Sequence, residues 1–226
     1  MTTPPTSAGH PRRTAILLVV LAVACVAAGT VAVLAGTTGG SAPPPQPGPA
    51  AAGQLPRHDM TVMAPPSAPA TARPTPAPGA SRPTVLDIPS VGIHSTLLDL
   101  GLNKDGTIEV PAKPLQAGWY HDSRAPGQAG PSVILGHVDS HATGPAVFYR
   151  LGAMKPRQRI RVTRADRKVA VFTVDAVRSY AKAAFPTLDV YGNTPDPELR
   201  LITCSGWNPR THSYDGNTVV FAHLSD

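Results

Sequence analysis

Aromatic residues make up only 5% of this 226-residue chain, charged residues 15%, and cysteine occurs just twice, as Cys25 and Cys204. Two cysteines so far apart, one of them inside an apolar run, exclude a disulfide-built scaffold and leave Cys204 an expected free thiol. Neither cysteine nor histidine spacing fits a zinc site, and no acidic cluster resembles a calcium loop, so no cofactor or metal is expected. Charge of one sign is also scarce where it would matter. The net charge is +6, yet from residue 84 onward 15 Lys and Arg stand against 13 Asp and Glu. Such a balance lacks the footprint of a nucleic-acid binder, and no nucleic-acid partner is expected. The densest basic stretch, Arg157, Arg159, Arg161 and Arg164, begins with period two, the pattern of a strand's solvated face.

What is present changes character along the chain. Residues 1–13 form a short arm carrying Arg12 and Arg13, and residues 14–36 are apolar and without charge. About 22 residues at roughly 1.5 Å each span the ~30 Å of bilayer hydrocarbon, so this run is expected to be a single transmembrane anchor. The arginines before it place the arm in the cytoplasm and everything after residue 36 outside. A cleaved signal peptide is the alternative, disfavoured because the run exceeds the usual 7 to 15 apolar residues. Residues 37–83 hold about half of the chain's 27 prolines amid Ala, Gly, Ser and Thr. Too little apolar surface is available there to offset the entropy of ordering, which predicts a disordered linker.

Residues 84–226 are long enough for one domain with its own core. Short β-prone runs separated by Gly, Pro, Asn and Asp recur at 84–88, 93–98, 107–110, 132–136, 159–163, 168–180, 199–203 and 218–223. Their spacing predicts a mainly β domain forming a closed or nearly closed β-barrel. Helix is sparse, with one candidate at 145–154, where Val147, Leu151 and Met154 repeat at helical spacing, and a turn at 189–193.

Cys204 ends the run 199–203, and His137 follows the run 132–136. Both sit at strand ends, where a rigid frame projects side chains toward a cleft. A thiol becomes a useful nucleophile when a positive neighbour favours its thiolate, and a histidine brought beside it by the fold is a common source. The pair points to acyl transfer through a thioester. The competing reading is a buried structural cysteine. Papain-type proteases run Cys before His, the reverse of this chain, which weighs against that class.

Gly136-His137-Val-Asp-Ser, Leu-Ile-Thr-Cys204 some 65 residues later and the terminal run from Thr218 resemble the sortase transpeptidases of Gram-positive bacteria. Leu86-Asp-Ile-Pro, Leu100-Gly-Leu-Asn, Ala117-Gly-Trp-Tyr120, Gly144-Pro-Ala-Val-Phe and Val190-Tyr-Gly extend the resemblance, toward the class F sortases of actinobacteria. It implies a mainly β, sortase-type eight-stranded β-barrel with short helices, in which Cys204 cleaves an LPXTG-like sorting signal after Thr. The acyl group would then pass to an amine of peptidoglycan or a pilin, with His137 as acid and base. The family also uses an arginine for the oxyanion. Where it often stands, thirteen residues past the cysteine, this chain has Asn217, so the role falls to Arg200, on the same strand face as Cys204, or to the runner-up Arg210 in the following loop, with Asn217 itself and a backbone oxyanion hole as the remaining alternatives. Trp119, Tyr120 and Thr203 are the candidates for substrate binding. A thioester hydrolase and a silent wall-binding module are the alternatives, the missing arginine at 217 favouring the second.

Overall fold

The structure, a computed structural model, describes residues 43–55 and 80–225. The arm, the apolar run 14–36 and the rest of the linker lie outside the described residues. Among the described residues no helix is long and apolar enough to cross a membrane.

Strands β1 (Pro83–Ile88), β2 (Ile93–Leu100), β3 (Ala117–Tyr120), β4 (Gly130–Leu135), β7 (Arg159–Arg164), β8 (Val169–Ala181), β9 (Pro197–Asn208) and β10 (Ser213–Leu224) form the main sheet. They close a barrel in the order β1-β2-β3-β4-β9-β10-β8-β7. Between β4 and β7 a two-residue pair, β5 (Asp139–Ser140) with β6 (Gly144–Pro145), makes a small flap. The pairings β2–β3 and β4–β9 are parallel and the rest antiparallel. Closure leaves no open edge, so every strand can alternate between an inner and an outer face.

That alternation decides where the core sits. Ile134, Val177, Leu201 and Val220 pack inward with Leu86, Phe148, Leu151, Phe172 and Leu199. Their neighbours Val133, Ala176, Ile202, Val219 and Phe221 face outward and form a second apolar cluster. Val190 of the short helix α1 (Thr187–Tyr191) belongs to it, and Phe185 and Tyr191 pack against it. The outer cluster is therefore a covered apolar strip on β4, β9, β10 and β8.

The expected strand at 107–110 is absent. Ile108 makes one isolated bridge to Leu102, and Pro111, which has no amide hydrogen to donate, follows soon after. Its place in the eight is taken by β3, whose four residues include a glycine. The helix expected at 145–154 shrinks to a 3₁₀ turn, Leu151–Ala153. Amides that would have bonded within a helix donate elsewhere: Val147 to Pro114 O at 3.0 Å and Phe148 to His137 O at 2.9 Å. The turn at 189–193 proves to be the end of α1.

Part of the linker departs from the expected disorder. Residues 43–55 pack on the barrel, with a 3₁₀ turn at Pro49–Ala51 and Ala51 buried in the inner cluster. Arg178 of β8 donates from Nε to Ala52 O at 2.9 Å and from its terminal nitrogen to Gly53 O at 3.2 Å. Gly53 has φ +47, and a Cβ there would lie 1.9 Å from Asp175 O, so only glycine permits this approach. Composition averaged over the linker hides these few anchoring residues.

Candidate active site

The outer strip is laid out in rungs. Ala176, Phe221, Arg200 and Val133 share one across β8, β10, β9 and β4, and Arg178, Val219, Ile202 and Leu135 share the next outward-facing one. Tyr180, Asn217 and Cys204 form the third. Successive outward rungs are about 6.7 Å apart. The half-buried Cys204 thus stands at the end of an apolar strip two rungs long.

The chain at His137 is carried alongside β9. Leu135 pairs with Ile202 in the parallel register, Gly136 N–H donates to Ile202 O at 3.1 Å, and Thr203 Oγ1 donates to Gly136 O at 2.8 Å. The parallel register ends at Leu135 and Ile202, and the two Gly136 bonds carry the link one step further, so the fold holds the turn that starts at His137 beside the part of β9 that leads to Cys204. Gly136 is needed for this turn because a Cβ would lie 2.6 Å from Phe148 Cδ2, a side chain that is fully buried. The His137 ring donates from Nε2 to Pro111 O at 2.7 Å. A carbonyl can only accept, so Nε2 carries a proton, and in the neutral ring Nδ1 keeps the lone pair able to take another.

The thiol is not pre-ionised by its surroundings. Burial pushes the Cys204 thiol up, the Lys182 ammonium opposes that, and the Asp139 carboxylate adds to it. These surroundings favour the protonated thiol over the thiolate. Desolvation disfavours the charged form, and a carboxylate has been placed nearby. Asp139 itself accepts a short hydrogen bond from Tyr214 Oη; burial first, and then that bond and the carboxylate's charge, make the phenol much harder to ionise. Tyr214 packs edge-on against Trp207, with ring centroids 5.1 Å apart.

The structure holds Arg200 back from the thiol. Arg200 does share the outer face with Cys204, as alternation requires, but it stands two rungs away, about 13 Å. Its guanidinium is 4% exposed, forms a short ion pair with Glu198, which is 2% exposed, and lies 4.7 Å over the Phe221 ring. Arg210 lies in the exposed turn between β9 and β10, where its own N–H donates to Asn208 Oδ1 at 3.0 Å. Thr203 faces inward and is committed to Gly136 O, tying β9 to the His137 turn, which leaves its hydroxyl without a hydrogen for substrate. Trp119 and Tyr120 line a cavity of about 420 Å³ with His121, Asp122, Tyr191 and Asn193. Pro131 and Val133 also line it, so it opens at the far end of the strip, away from Cys204.

Three residues at the site escape sequence reasoning: Lys182, Tyr214 and Pro111. Lys182 follows Ala181, which pairs with Gly216, itself opposite Ser205, so one glycine of β10 separates the lysine's strand from the cysteine's neighbour. Aligning the end of run 168–180 with the start of the terminal run would have revealed it. Tyr214 and Pro111 carry no sequence signal, because each acts through one tertiary hydrogen bond.

The model of the sortase domain matches residues 86–225. The chain belongs to the sortase family, whose members are cysteine transpeptidases. Among solved structures, sortase A from Corynebacterium diphtheriae in a lid mutant is similar with a TM-score of 0.51 and 22% identity, covering 66% of this chain and 73% of that one. Sortase C-1 from Actinomyces oris is similar with a TM-score of 0.50 and 16% identity, covering 63% of this chain and 73% of its own. These likenesses establish the barrel as a sortase fold. No curated protein matches the chain.

Proposed function

We propose that this chain is a working sortase, a transpeptidase for an LPXTG-like sorting signal with Cys204 as nucleophile. The observation that supports the reading is the parallel β4–β9 pairing with its Gly136 bonds, which holds the start of the His137 turn against the part of β9 that leads to Cys204. The Cys204 proton passes to His137 Nδ1 as the sulfur bonds to the carbonyl carbon of the threonine. Collapse of the tetrahedral intermediate breaks the scissile C–N bond, and the imidazolium returns the proton to the departing amine. An incoming amine of peptidoglycan or a pilin then loses a proton to His137, forms the new amide and frees the thiol. Because the thiol rests protonated, ionisation belongs to the encounter with substrate, and an active fraction forms without a standing thiolate.

The oxyanion role falls to Lys182 in place of Arg200 or Arg210. Its ammonium is the cation whose field lowers the Cys204 pKa, and the same field stabilises negative charge on the intermediate. The sequence supports an anchor at residues 14–36 holding the domain outside the cytoplasmic membrane, and the motif set supports class F of the actinobacteria. Mixing the protein with LPXTG and LAXTG peptides tests the reaction. A new amide that forms only when an amine acceptor is added supports transpeptidation; free acid in both cases indicates the hydrolase, and no turnover indicates the silent module.

A further inference from the structure

The carboxylate next to Cys204 works against the chemistry proposed for the sulfur. Negative charge at Asp139 disfavours the thiolate, and it disfavours an oxyanion formed at the same place. The fold nevertheless fixes it there. Asp139 lies two residues past His137 in β5 and pairs with Pro145 of β6, while Val138 O beside it receives Ala146 N–H at 3.0 Å. Its Oδ2 accepts from Tyr214 Oη, and Tyr214 stands opposite Trp207, three residues beyond Cys204 on β9. Flap and hairpin are thus joined through this one carboxylate. Tyr214 is a neutral donor, and among the described residues no Lys, Arg or His pairs with Asp139. The half-buried group therefore has acceptor capacity left for a cation.

Strand order arranges the charges around the sulfur. The run β4-β9-β10-β8 places Cys204 of β9 between the flap, which is reached from β4, and Lys182, which follows β8. A thioester formed there has an ammonium toward one flank and a carboxylate toward the other. Attack by an amine creates the matching pair of charges, negative on the carbonyl oxygen and positive on the nitrogen until that nitrogen loses a proton. We propose that Asp139 is the acceptor-recognition residue, its carboxylate taking the ammonium group of a primary amine, and that Tyr214 positions it. The proposal rests on the reading of Cys204 as the acylated nucleophile. Primary amines arrive at neutral pH as ammonium ions, and a carboxylate makes a short, charge-assisted hydrogen bond to such a group. The bound ammonium gives one proton to water and its nitrogen bonds to the acyl carbon; a second proton passes to His137 and from there to the sulfur as the C–S bond breaks. Water forms no ion pair with the carboxylate, so Asp139 favours transfer over hydrolysis.

Competition for one acyl-enzyme tests this directly. The full chain is incubated with a Leu-Pro-Glu-Thr-Gly peptide and a fixed mixture of hydroxylamine, uncharged at neutral pH, with either triglycine amide or Nα-acetyllysine amide. The ratio of amide product to hydroxamate depends only on the fate of the thioester, whatever the rate of its formation. Asp139→Asn keeps an oxygen for Tyr214 Oη and removes the charge, so the ratio is expected to fall about tenfold, the size of one charge-assisted hydrogen bond. The acceptor that shows the fall identifies the source, a chain terminus or a lysine side chain. In the same variant iodoacetamide alkylates Cys204 faster at a given pH, because a charge that opposed the thiolate is gone. Tyr214→Phe keeps the ring against Trp207 and lowers the ratio in the same direction. A merely displaced imidazole slows both nucleophiles alike, so a ratio unchanged with both ammonium acceptors in Asp139→Asn overturns the proposal. Absence of any acyl-enzyme in the wild-type chain overturns the catalytic reading and this inference with it, an outcome that intact mass separates from the first.

Discussion

At the residue scale the account turns on one sulfur and the charges around it. Burial raises the Cys204 pKa while Lys182 lowers it, so alkylation of Cys204 by iodoacetamide accelerates with pH through and beyond the ordinary thiol range, without a plateau near neutrality. Lys182→Ala moves that profile to still higher pH and lowers kcat by about 10- to 100-fold, whereas Lys182→Arg restores both; a kcat unchanged in Lys182→Ala removes the lysine from the oxyanion site. The same raised pKa has a stability consequence. The folded state holds the thiol proton more tightly than the unfolded chain, so the contribution is fully present below the ordinary thiol pKa and lost as pH rises through the raised one. A Cys204→Ser protein loses less stability over that alkaline window, which denaturant titration at several pH values checks. Arg200 behaves differently. Arg200→Ala leaves Glu198 buried without its guanidinium, and the expected outcome is a loss of about 3 to 5 kcal/mol of stability in denaturant titration. A selective loss of kcat in a fully stable Arg200→Ala protein would return that residue to the chemistry.

At the element scale, the position of His137 depends on a loop with few alternatives. Gly136 N–H and O are both tied to β9, His137 O receives Phe148 N–H, and Val138 O receives Ala146 N–H at 3.0 Å. Gly136→Ala must push the buried Phe148 ring aside, at a cost of about 1 to 3 kcal/mol, and it displaces the imidazole as well. Thermal melting and peptide turnover should fall together in that variant. The period-two runs made most of this frame legible: seven of the expected strands are present, and the parallel β4–β9 pairing sets the runs that precede His137 and Cys204 side by side. What stayed hidden has particular causes. Ala117-Gly-Trp-Tyr120 is too short and too glycine-containing to read as a strand, while Thr107–Val110 has strand composition but only one bridging partner. The helical spacing at 145–154 was real as a burial pattern, but its amides bond to Pro114 and His137. Alternation placed Arg200 on the face of Cys204 correctly; it carried no information about Glu198 on that face, which holds the guanidinium back.

At the scale of the whole molecule, the inner cluster closes the barrel, the outer strip leads to the thiol, and the linker segment 43–55 covers part of that strip. The family assignment was readable from motifs because a nucleophile and its histidine need fixed residue types at fixed strand positions. The docked linker was not, because its attachment depends on a few anchors in otherwise low-complexity sequence. The central claim is that Cys204 becomes acylated with help from His137. Intact-mass analysis of the full chain after incubation with an LPXTG peptide tests it most directly. The account predicts a mass increase equal to the peptide fragment ending in threonine, mapped to Cys204, stable in the absence of amine and strongly reduced in His137→Ala. An unmodified Cys204 in the wild-type protein, or an adduct that forms equally fast without the imidazole, would contradict it.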